Sequence, residues 1–198
     1  METLTFDDGM NVLAARTQFF ASYGFGADGG YHESWVKIQL GPLPIVFPNT
    51  EQRKRSLKLH DLHHVTTGYA TNWCGEGEIS AWEVGGGCGN HLAAWGINLS
   101  GMMLGLIITP VTTWRAFVRG RHTINLYHLV GDFDERLLEL SVGALRAKMG
   151  LNVKEHRATL ADIVYFVALL LVAIPWSLVQ GVAFLLALPL VFLTLRPR

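Results

Sequence analysis

The chain has 198 residues, with 16 Lys and Arg against 16 Asp and Glu, so its formal net charge is zero. Charged residues make up only 16% and apolar residues 50%, whereas an ordinary soluble domain carries about 25% charged residues. The neutral balance excludes the basic excess typical of nucleic-acid-binding proteins, so we expect no nucleic-acid partner. The two cysteines, Cys74 and Cys88, are too few for a disulfide scaffold or a thiolate zinc finger.

The first half of the chain predicts helices with one extended segment between them. A helix is expected within residues 7–25, and residues 31–47, where prolines recur, predict an extended segment or a short hairpin. Thr50 is a suitable N-cap for a helix over residues 51–67, and Gly68 is a suitable end for it. A further helix is expected over residues 76–84, before a run of glycines.

The stretch 84–114 carries no charged residue and holds seven glycines. Within it, residues 93–108 predict a central core helix, with a membrane span as the alternative, and Pro110 is expected to end or kink it. Residues 132–149 are amphipathic, with acids first and bases last, and predict another helix. Residues 1–151 are therefore interpreted as one compact all-α domain.

The tail differs sharply from this domain, because residues 163–195 contain no charge over 33 positions. A single span needs about 20 residues, and Pro175 and Ser177 stand near the middle. We therefore predict a membrane-associated helical hairpin over residues 159–198, with helices at 159–174 and 178–195, after a linker at 152–158. The hairpin could span the bilayer or dip into one leaflet, and a buried hairpin of a soluble protein is the alternative.

The two ends of the chain bear on its location. The N-terminus has neither the basic start and apolar core of a secretory signal nor the acid-poor pattern of a transit peptide. Basic residues flank the tail on both sides, and such residues tend to remain in the cytoplasm. We therefore expect a protein associated with the cytoplasmic face of a bacterial-type inner, or plasma, membrane. The flanking residues are Lys154, Arg157, Arg196 and Arg198.

Residues 60–64 hold the side chains most suited to chemistry. His60 and His64 are spaced i, i+4, so both rings project from one helix face. Asp61 can reach the same pocket from its rim, and Glu76 can return to it on the next helix. Two imidazoles and one or two carboxylates suit Zn²⁺, Fe²⁺, Mn²⁺ or Co²⁺, with a position left for water or substrate. The alternative is a pair of polar residues on a solvated helix face.

Other polar residues of this helix admit two interpretations. His63 points away from His60 and His64, and is expected either to support the ligands or to lie at the surface. Arg53, Arg55 and Lys58 belong to a basic run that is ordinarily a solvated helix face. Near a membrane the same residues could instead meet anionic headgroups or an acidic substrate.

The motif His60-Asp61-x-x-His64, followed after eleven residues by Glu76, resembles the metal motif of the coenzyme Q (ubiquinone) biosynthesis protein four family. Residues 60–69, 75–76 and 144–151 are also similar to that family, and the resemblance covers residues 7–151. It implies an all-α fold and a divalent metal, often zinc. The metal ligands it implies are His60, Asp61, His64 and Glu76. It names no catalytic residue beyond these ligands.

The resemblance also implies a function at the membrane. It points to ubiquinone biosynthesis, with oxidative decarboxylation and hydroxylation at ring carbon one of a polyprenylated hydroxybenzoate precursor. The implied partners are that precursor or another lipid, the membrane, other quinone-biosynthesis proteins and a second copy of the chain. The apolar tail departs from the family pattern, which leaves open a paralogue acting on a different lipid.

Three alternatives to a metal-dependent lyase or oxidoreductase follow from the same residues. A non-catalytic lipid-binding scaffold would use the apolar segments and keep the metal as a structural element. The spacing of His60, His63 and His64 also matches one histidine box of membrane desaturases, which need several such boxes. A metal phosphohydrolase would require His32 and Asp132 to join the His60–Asp61 pair.

Overall fold

The computed structural model describes residues 4–40, 43–153 and 156–194. Two strands, β1 (Trp35–Leu40) and β2 (Leu43–Pro48), pair as an antiparallel hairpin over the segment predicted to be extended. A short 3₁₀ helix covers Glu135–Glu139. Most of the other described residues lie in α-helices, as predicted. The α-helices are α1 (Val12–Tyr23), α2 (Glu51–Thr67), α3 (Trp73–Gly86), α4 (Leu92–Ile108), α5 (Pro110–Arg121), α6 (Leu126–Leu129), α7 (Val142–Lys148) and α8 (Leu160–Thr194).

Helix α3 lies at the centre of the helical domain, with α4 and α5 packed closely against it. A Cβ atom on Gly77 would lie 2.5 Å from Cα of Gly105 in α4, and one on Gly85 would lie 2.4 Å from the carbonyl oxygen of Phe117 in α5. Side chains at these positions would therefore separate the helix axes. The glycines of the charge-free stretch allow α3 to approach both neighbours at backbone distance.

The predicted ends of α2 are confirmed. The Thr50 side chain accepts a hydrogen bond from the backbone of the first turn, and Gly68 adopts the left-handed conformation with φ 78° that ends the helix. Helix α3 begins at Trp73, earlier than predicted, because Asn72 caps it: its Oδ1 accepts from the Gly75 backbone N–H at 3.0 Å.

The single amphipathic helix predicted over residues 132–149 is wrong. The structure has a 3₁₀ helix and then α7, with extended chain between them. Leu140 and Val142 exchange backbone hydrogen bonds with Val12 and Met10, at 2.9 and 2.8 Å. This pairing with the segment before α1 holds the chain extended, and Ser141 then serves as the N-cap of α7. Helical periodicity continued across the break, so the pattern alone did not reveal it.

The predicted C-terminal hairpin is also wrong, because α8 is one continuous helix through Pro175. A proline inside a helix removes one hydrogen bond and bends the axis, but it does not require the chain to reverse. Trp176 and Gln180, just beyond the proline, bind Gly96 and Ser100 of α4. These contacts hold the part of α8 beyond the proline against α4.

Within the described residues, α8 is long and apolar enough to cross a membrane over Leu160–Leu186, by length and composition. One face of the helix packs against α4 and α5, with Ala173 fully buried. The opposite face exposes aliphatic side chains, among them Leu160 and Leu171 at 76% and 73%. These features support the prediction of an apolar, membrane-associated tail, but the tail is one helix and not a hairpin.

Candidate metal centre

Helix α2 brings His60 and His64 together on one face, as their spacing predicts. Their rings are nearly perpendicular, with centroids 4.7 Å apart, and the two Nε2 atoms lie 3.1 Å apart. Phe19 of α1 stacks on the His64 ring at 5.5 Å, which fixes the plane of that imidazole. The two nitrogens therefore point to a common position from a rigid helix.

Glu76, in the first turn of α3, completes this group. Its Oε1 lies 3.4 Å from His64 Nε2, and its Oε2 lies 3.7 Å from His60 Nε2. One ligand atom from each of the three residues falls within 4.8 Å of the other two. The Glu76 side chain is 36% exposed, whereas that of His64 is 2% exposed. The group is therefore buried on its histidine side and accessible on its glutamate side.

The remaining ring nitrogens of both histidines have fixed hydrogen-bond partners. His64 Nδ1 lies 2.9 Å from the carbonyl oxygen of Tyr69, and His60 Nδ1 lies 2.8 Å from Glu83 Oε1. A carbonyl oxygen and a carboxylate only accept, so each Nδ1 carries the proton. In the neutral imidazoles, both Nε2 atoms then present lone pairs toward each other and toward Glu76. Three acceptors held this close require a proton or a metal cation among them.

Glu83 belongs to the candidate site, although the sequence patterns did not single it out. It is fully buried in α3, and its Oε1 accepts from Nδ1 of both His60 and His63, at 2.8 and 2.6 Å. Its Oε2 accepts from the Tyr127 hydroxyl at 3.0 Å and from the Asn98 amide. One signal could have found it: Glu83 stands seven residues after Glu76, so the two acids share one face of a helix.

His63 is buried and supports the site rather than lying at the surface. Its Nδ1 donates to Glu83, while its Nε2 accepts from the Leu126 backbone N–H at 2.9 Å. Burial lowers the pKa of His63, only partly offset by the Glu83 carboxylate. A neutral His63 therefore links α2 to α3 and to the start of α6.

The electrostatics of the site are set by its two carboxylates. Burial alone would lower the pKa of His60, but Glu83 and Glu76 outweigh it and raise that pKa well above its ordinary value. Burial would raise the pKa of Glu76, but His64 and His60 hold it far below the usual range. The pKa of Glu83 is lowered in the same way by His60 and His63. Both glutamates are therefore ionised and favour a cation between them.

Asp61 lies beside the three-residue group but is engaged elsewhere. Its Oδ2 accepts a hydrogen bond from the Tyr31 hydroxyl at 2.6 Å, and the residue is 5% exposed. Burial raises the pKa of Asp61, while the Tyr31 hydroxyl and the nearby histidines oppose that rise. The structure thus brings His60, His64 and Glu76 together and places Asp61 next to them, bound to Tyr31.

The three predicted basic residues have different surroundings. Arg53 donates to Asn49 Oδ1 at 2.9 Å, and burial lowers the pKa of Arg53. Arg55 forms a bidentate ion pair with Asp132. Lys58 lies over the Tyr31 ring, 5.6 Å from its centroid. Lys58 therefore contacts Tyr31, the charge of Asp61 acts on Arg53, and Arg55 is paired with Asp132.

The phosphohydrolase alternative does not match this geometry. Its two additional residues lie apart from the histidines: Asp132 pairs with Arg55, and the His32 side chain is 91% exposed beside Asp28. For a desaturase, several histidine boxes would have to meet. Within residues 4–40, 43–153 and 156–194, the candidate metal group consists of His60, His64 and Glu76 alone.

Comparison with known proteins adds no relative to this picture. The chain matches no protein-family model, no curated protein and no solved structure. The sequence motif and the geometry of the site are therefore the basis for the function proposed below.

Proposed function

We propose that this chain is a membrane-associated, divalent-metal-dependent protein of ubiquinone biosynthesis. Its substrate would be a polyprenylated hydroxybenzoate precursor, acted on by oxidative decarboxylation and hydroxylation at ring carbon one. The proposal combines the resemblance of residues 60–76 to the coenzyme Q biosynthesis protein four family with the arrangement of their side chains. Zinc is the proposed metal, with iron, manganese and cobalt as alternatives that the same ligand types accept.

The convergence of His60 Nε2, His64 Nε2 and a Glu76 carboxylate oxygen carries the proposal. Two nitrogens bound to one tetrahedral zinc at about 2.0–2.1 Å are about 3.3–3.4 Å apart, close to the 3.1 Å between these Nε2 atoms. The Nδ1–H group of each histidine donates a hydrogen bond to a carboxylate or a carbonyl oxygen, as is usual for histidines that bind metals. The donor set therefore fits a divalent metal, with Asp61 as the fourth ligand that the resemblance implies.

A bound divalent metal would supply Lewis acidity toward the oxygen substituents of an aromatic substrate. The chain's own residues account for the rest of the site. Glu83 holds the Nδ1 proton of His60 and thereby keeps its Nε2 free to bind. Glu76 lies at the accessible rim, where it can contact both metal and substrate. Asp61 and Tyr31 form a partly buried acid–phenol pair beside that rim, which can hold a proton near the aromatic substrate.

The apolar surfaces of α4 and α8 are consistent with a substrate that resides in the bilayer. A polyprenyl tail resides in the bilayer, so its enzyme must reach lipid. Helix α8 is long and apolar enough to span a membrane, and α4 also exposes aliphatic side chains, including Ile107 at 77%. We propose that the domain lies on the cytoplasmic face, where it could meet other quinone-biosynthesis proteins or a second copy of itself.

Metal content of the purified full-length chain tests the site. The wild type is expected to hold one divalent metal per chain, and His64→Ala to lose it. The matched control is His32→Ala, since the His32 side chain is 91% exposed and its loss should leave the metal in place. Equal, substoichiometric metal in the wild type and in His64→Ala would refute the metal site.

A scaffold that only presents the quinone precursor is the second candidate, favoured by the extent of apolar surface on α4 and α8. Complementation of a ubiquinone-deficient bacterium separates the two. Glu76→Gln retains the size of the side chain but removes a charged ligand, so it should abolish rescue if the metal is catalytic. A folded, membrane-bound Glu76→Gln protein that rescues fully would favour the scaffold. Mass spectrometry of copurifying lipids would identify the bound precursor.

A further inference from the structure

The contact between α8 and the domain extends along the part of the helix that would lie in hydrocarbon. It begins at Asp162, whose carboxylate accepts from Arg121, the last residue of α5, and from His122, which follows it. It continues through the fully buried Ala173 to Trp176. Trp176 lies about 24 Å along the axis from Leu160, at 1.5 Å per residue. The hydrocarbon core is about 30 Å thick, so a spanning α8 carries this contact into the membrane.

The deep end of this contact is made with α4 through polar groups. The Trp176 indole Nε1 donates to the Gly96 carbonyl oxygen at 2.8 Å. The Ser100 hydroxyl donates to Gln180 Oε1, and Ser177 Oγ lies 3.4 Å from Ser100 Oγ. Separating the helices would leave Ser177 and Gln180 unpaired in hydrocarbon, which is unfavourable. These hydrogen bonds therefore favour α4 remaining beside α8 when α8 enters the bilayer.

Helix α4 has the surface that such a position requires. It belongs to the stretch 84–114, which carries no charged residue. Gly96, Ser100 and Ile107 fall on one stripe of the helix, and Ile107 extends the stripe beyond the contact with α8, 77% exposed. Ile97 and Ile108 are 47% and 44% exposed, and Val111 at the start of α5 is 61% exposed. Ile107, Ile108 and Val111 are close in the chain, and a cluster of exposed aliphatic side chains is characteristic of a surface that is covered by a partner or by lipid.

We propose that the lipid bilayer covers this surface, so that α4 and the start of α5 enter the hydrocarbon together with α8. The domain is then embedded in the membrane rather than tethered to it by a flexible tail. The polar cluster of Asp162, Arg121 and His122 marks the membrane surface, because charged groups remain at that level. The exposed Arg115 therefore limits the inserted part of α5 to its first turn. This proposal rests on the proposed membrane insertion of α8, but it does not depend on the metal or on the reaction.

The arrangement brings the metal centre within one helix of the lipid. Ile97 and Asn98 are consecutive residues of α4, whose side chains project about 100° apart around the helix axis. Ile97 is exposed on the outer surface, whereas Asn98 is buried and donates to Glu83. The inner face of α4 also touches α3 beside Glu76, through Gly77 and Gly105. Helix α4 therefore presents one side to the proposed lipid surface and another to α3, which carries Glu76 and Glu83.

Depth-dependent quenching of a fluorescent label tests the proposal in the full-length chain. In a Cys74→Ser background, the variants Ile107→Cys, Leu178→Cys and Gln18→Cys each carry one exposed thiol for an environment-sensitive dye. Each labelled protein is reconstituted into vesicles of phosphatidylcholine and phosphatidylglycerol, with or without spin-labelled acyl chains. Ile97→Cys provides a second position on α4.

We expect the labels on α4 and at Leu178 of α8 to shift to the blue and to be quenched by the acyl-chain spin label. The label at Gln18, on α1, should be unaffected. Quenching at Leu178 without quenching at Ile107 and Ile97 would overturn the proposal, because α8 would then insert alone. An unquenched Leu178 label would overturn it together with the membrane anchoring, while the metal content of the same protein would still report independently on the site.

Discussion

Replacing Glu83 with glutamine tests whether this buried carboxylate organises the metal site. The change retains shape but removes the charge that His60 and His63 meet at 2.8 and 2.6 Å. Tyr127 and Asn98 can reorient to form hydrogen bonds with an amide. The substitution therefore weakens mainly the hydrogen bonds from His60 and His63. A charge-assisted hydrogen bond contributes about 1.5–3 kcal/mol and a neutral one about 0.5–1.5 kcal/mol. Glu83→Gln should therefore destabilise the metal-free protein by about 2 kcal/mol.

Two measurements on the purified full-length chain check this expectation. The thermal midpoint of the chelator-treated protein should fall by about 4–8 °C, at about 2–4 °C per kcal/mol for a chain of this size. Metal affinity, measured against a competing chelator, should fall by about 10–100-fold, as for other carboxylates that hold metal-binding histidines. Glu78→Gln is the matched control, since Glu78 lies on α3 outside the cluster. An unchanged metal affinity in Glu83→Gln would refute the assigned role.

Three further predictions concern the ligands and the packing around them. Asp61→Asn should weaken metal binding less than Glu76→Gln, because Asp61 is engaged by a tyrosine hydroxyl; metal titration ranks the two. Gly77→Ala should destabilise the protein by about 1–3 kcal/mol, since the new Cβ would meet the α4 backbone, whereas Gly181→Ala, with no described atom within 4 Å, should not lower the thermal midpoint. Arg146→Lys should cost about 1–2 kcal/mol in unfolding experiments, because the guanidinium binds carbonyl oxygens of the last turn of α2.

The sequence predicted those features of the fold that depend on residues close together in the chain. Helix α2 begins after Thr50 and ends at Gly68, as predicted, because a cap side chain and a left-handed glycine act within a few residues. The i, i+4 spacing likewise brought His60 and His64 together. The prediction of α4 at 93–108 differs by one residue from the observed Leu92–Ile108. These features require no knowledge of the tertiary fold.

Features that depend on distant contacts were missed or predicted wrongly. The break in 132–149 comes from pairing with the chain before α1. The contacts that α8 makes with α4 just beyond Pro175 are likewise distant in sequence. Glu83 was overlooked because its donors come from α2, α4 and α6, and only the fold shows that they meet. The spacing of Glu76 and Glu83 indicates that the two acids share one helix face, but not which side chains Glu83 meets.

Helix α3 explains why the metal centre and the apolar surface are coupled in this fold. One of its faces carries Glu76 and Glu83 toward the histidines of α2. Another carries Gly77 against α4 at backbone distance, and Asn98 of α4 reaches back to Glu83. Displacing α4 therefore moves both a proposed ligand and the carboxylate that orients His60. If α4 lies in lipid, binding to the bilayer acts directly on the geometry of the metal site, and metal affinity should differ between vesicle-bound and detergent-solubilised protein.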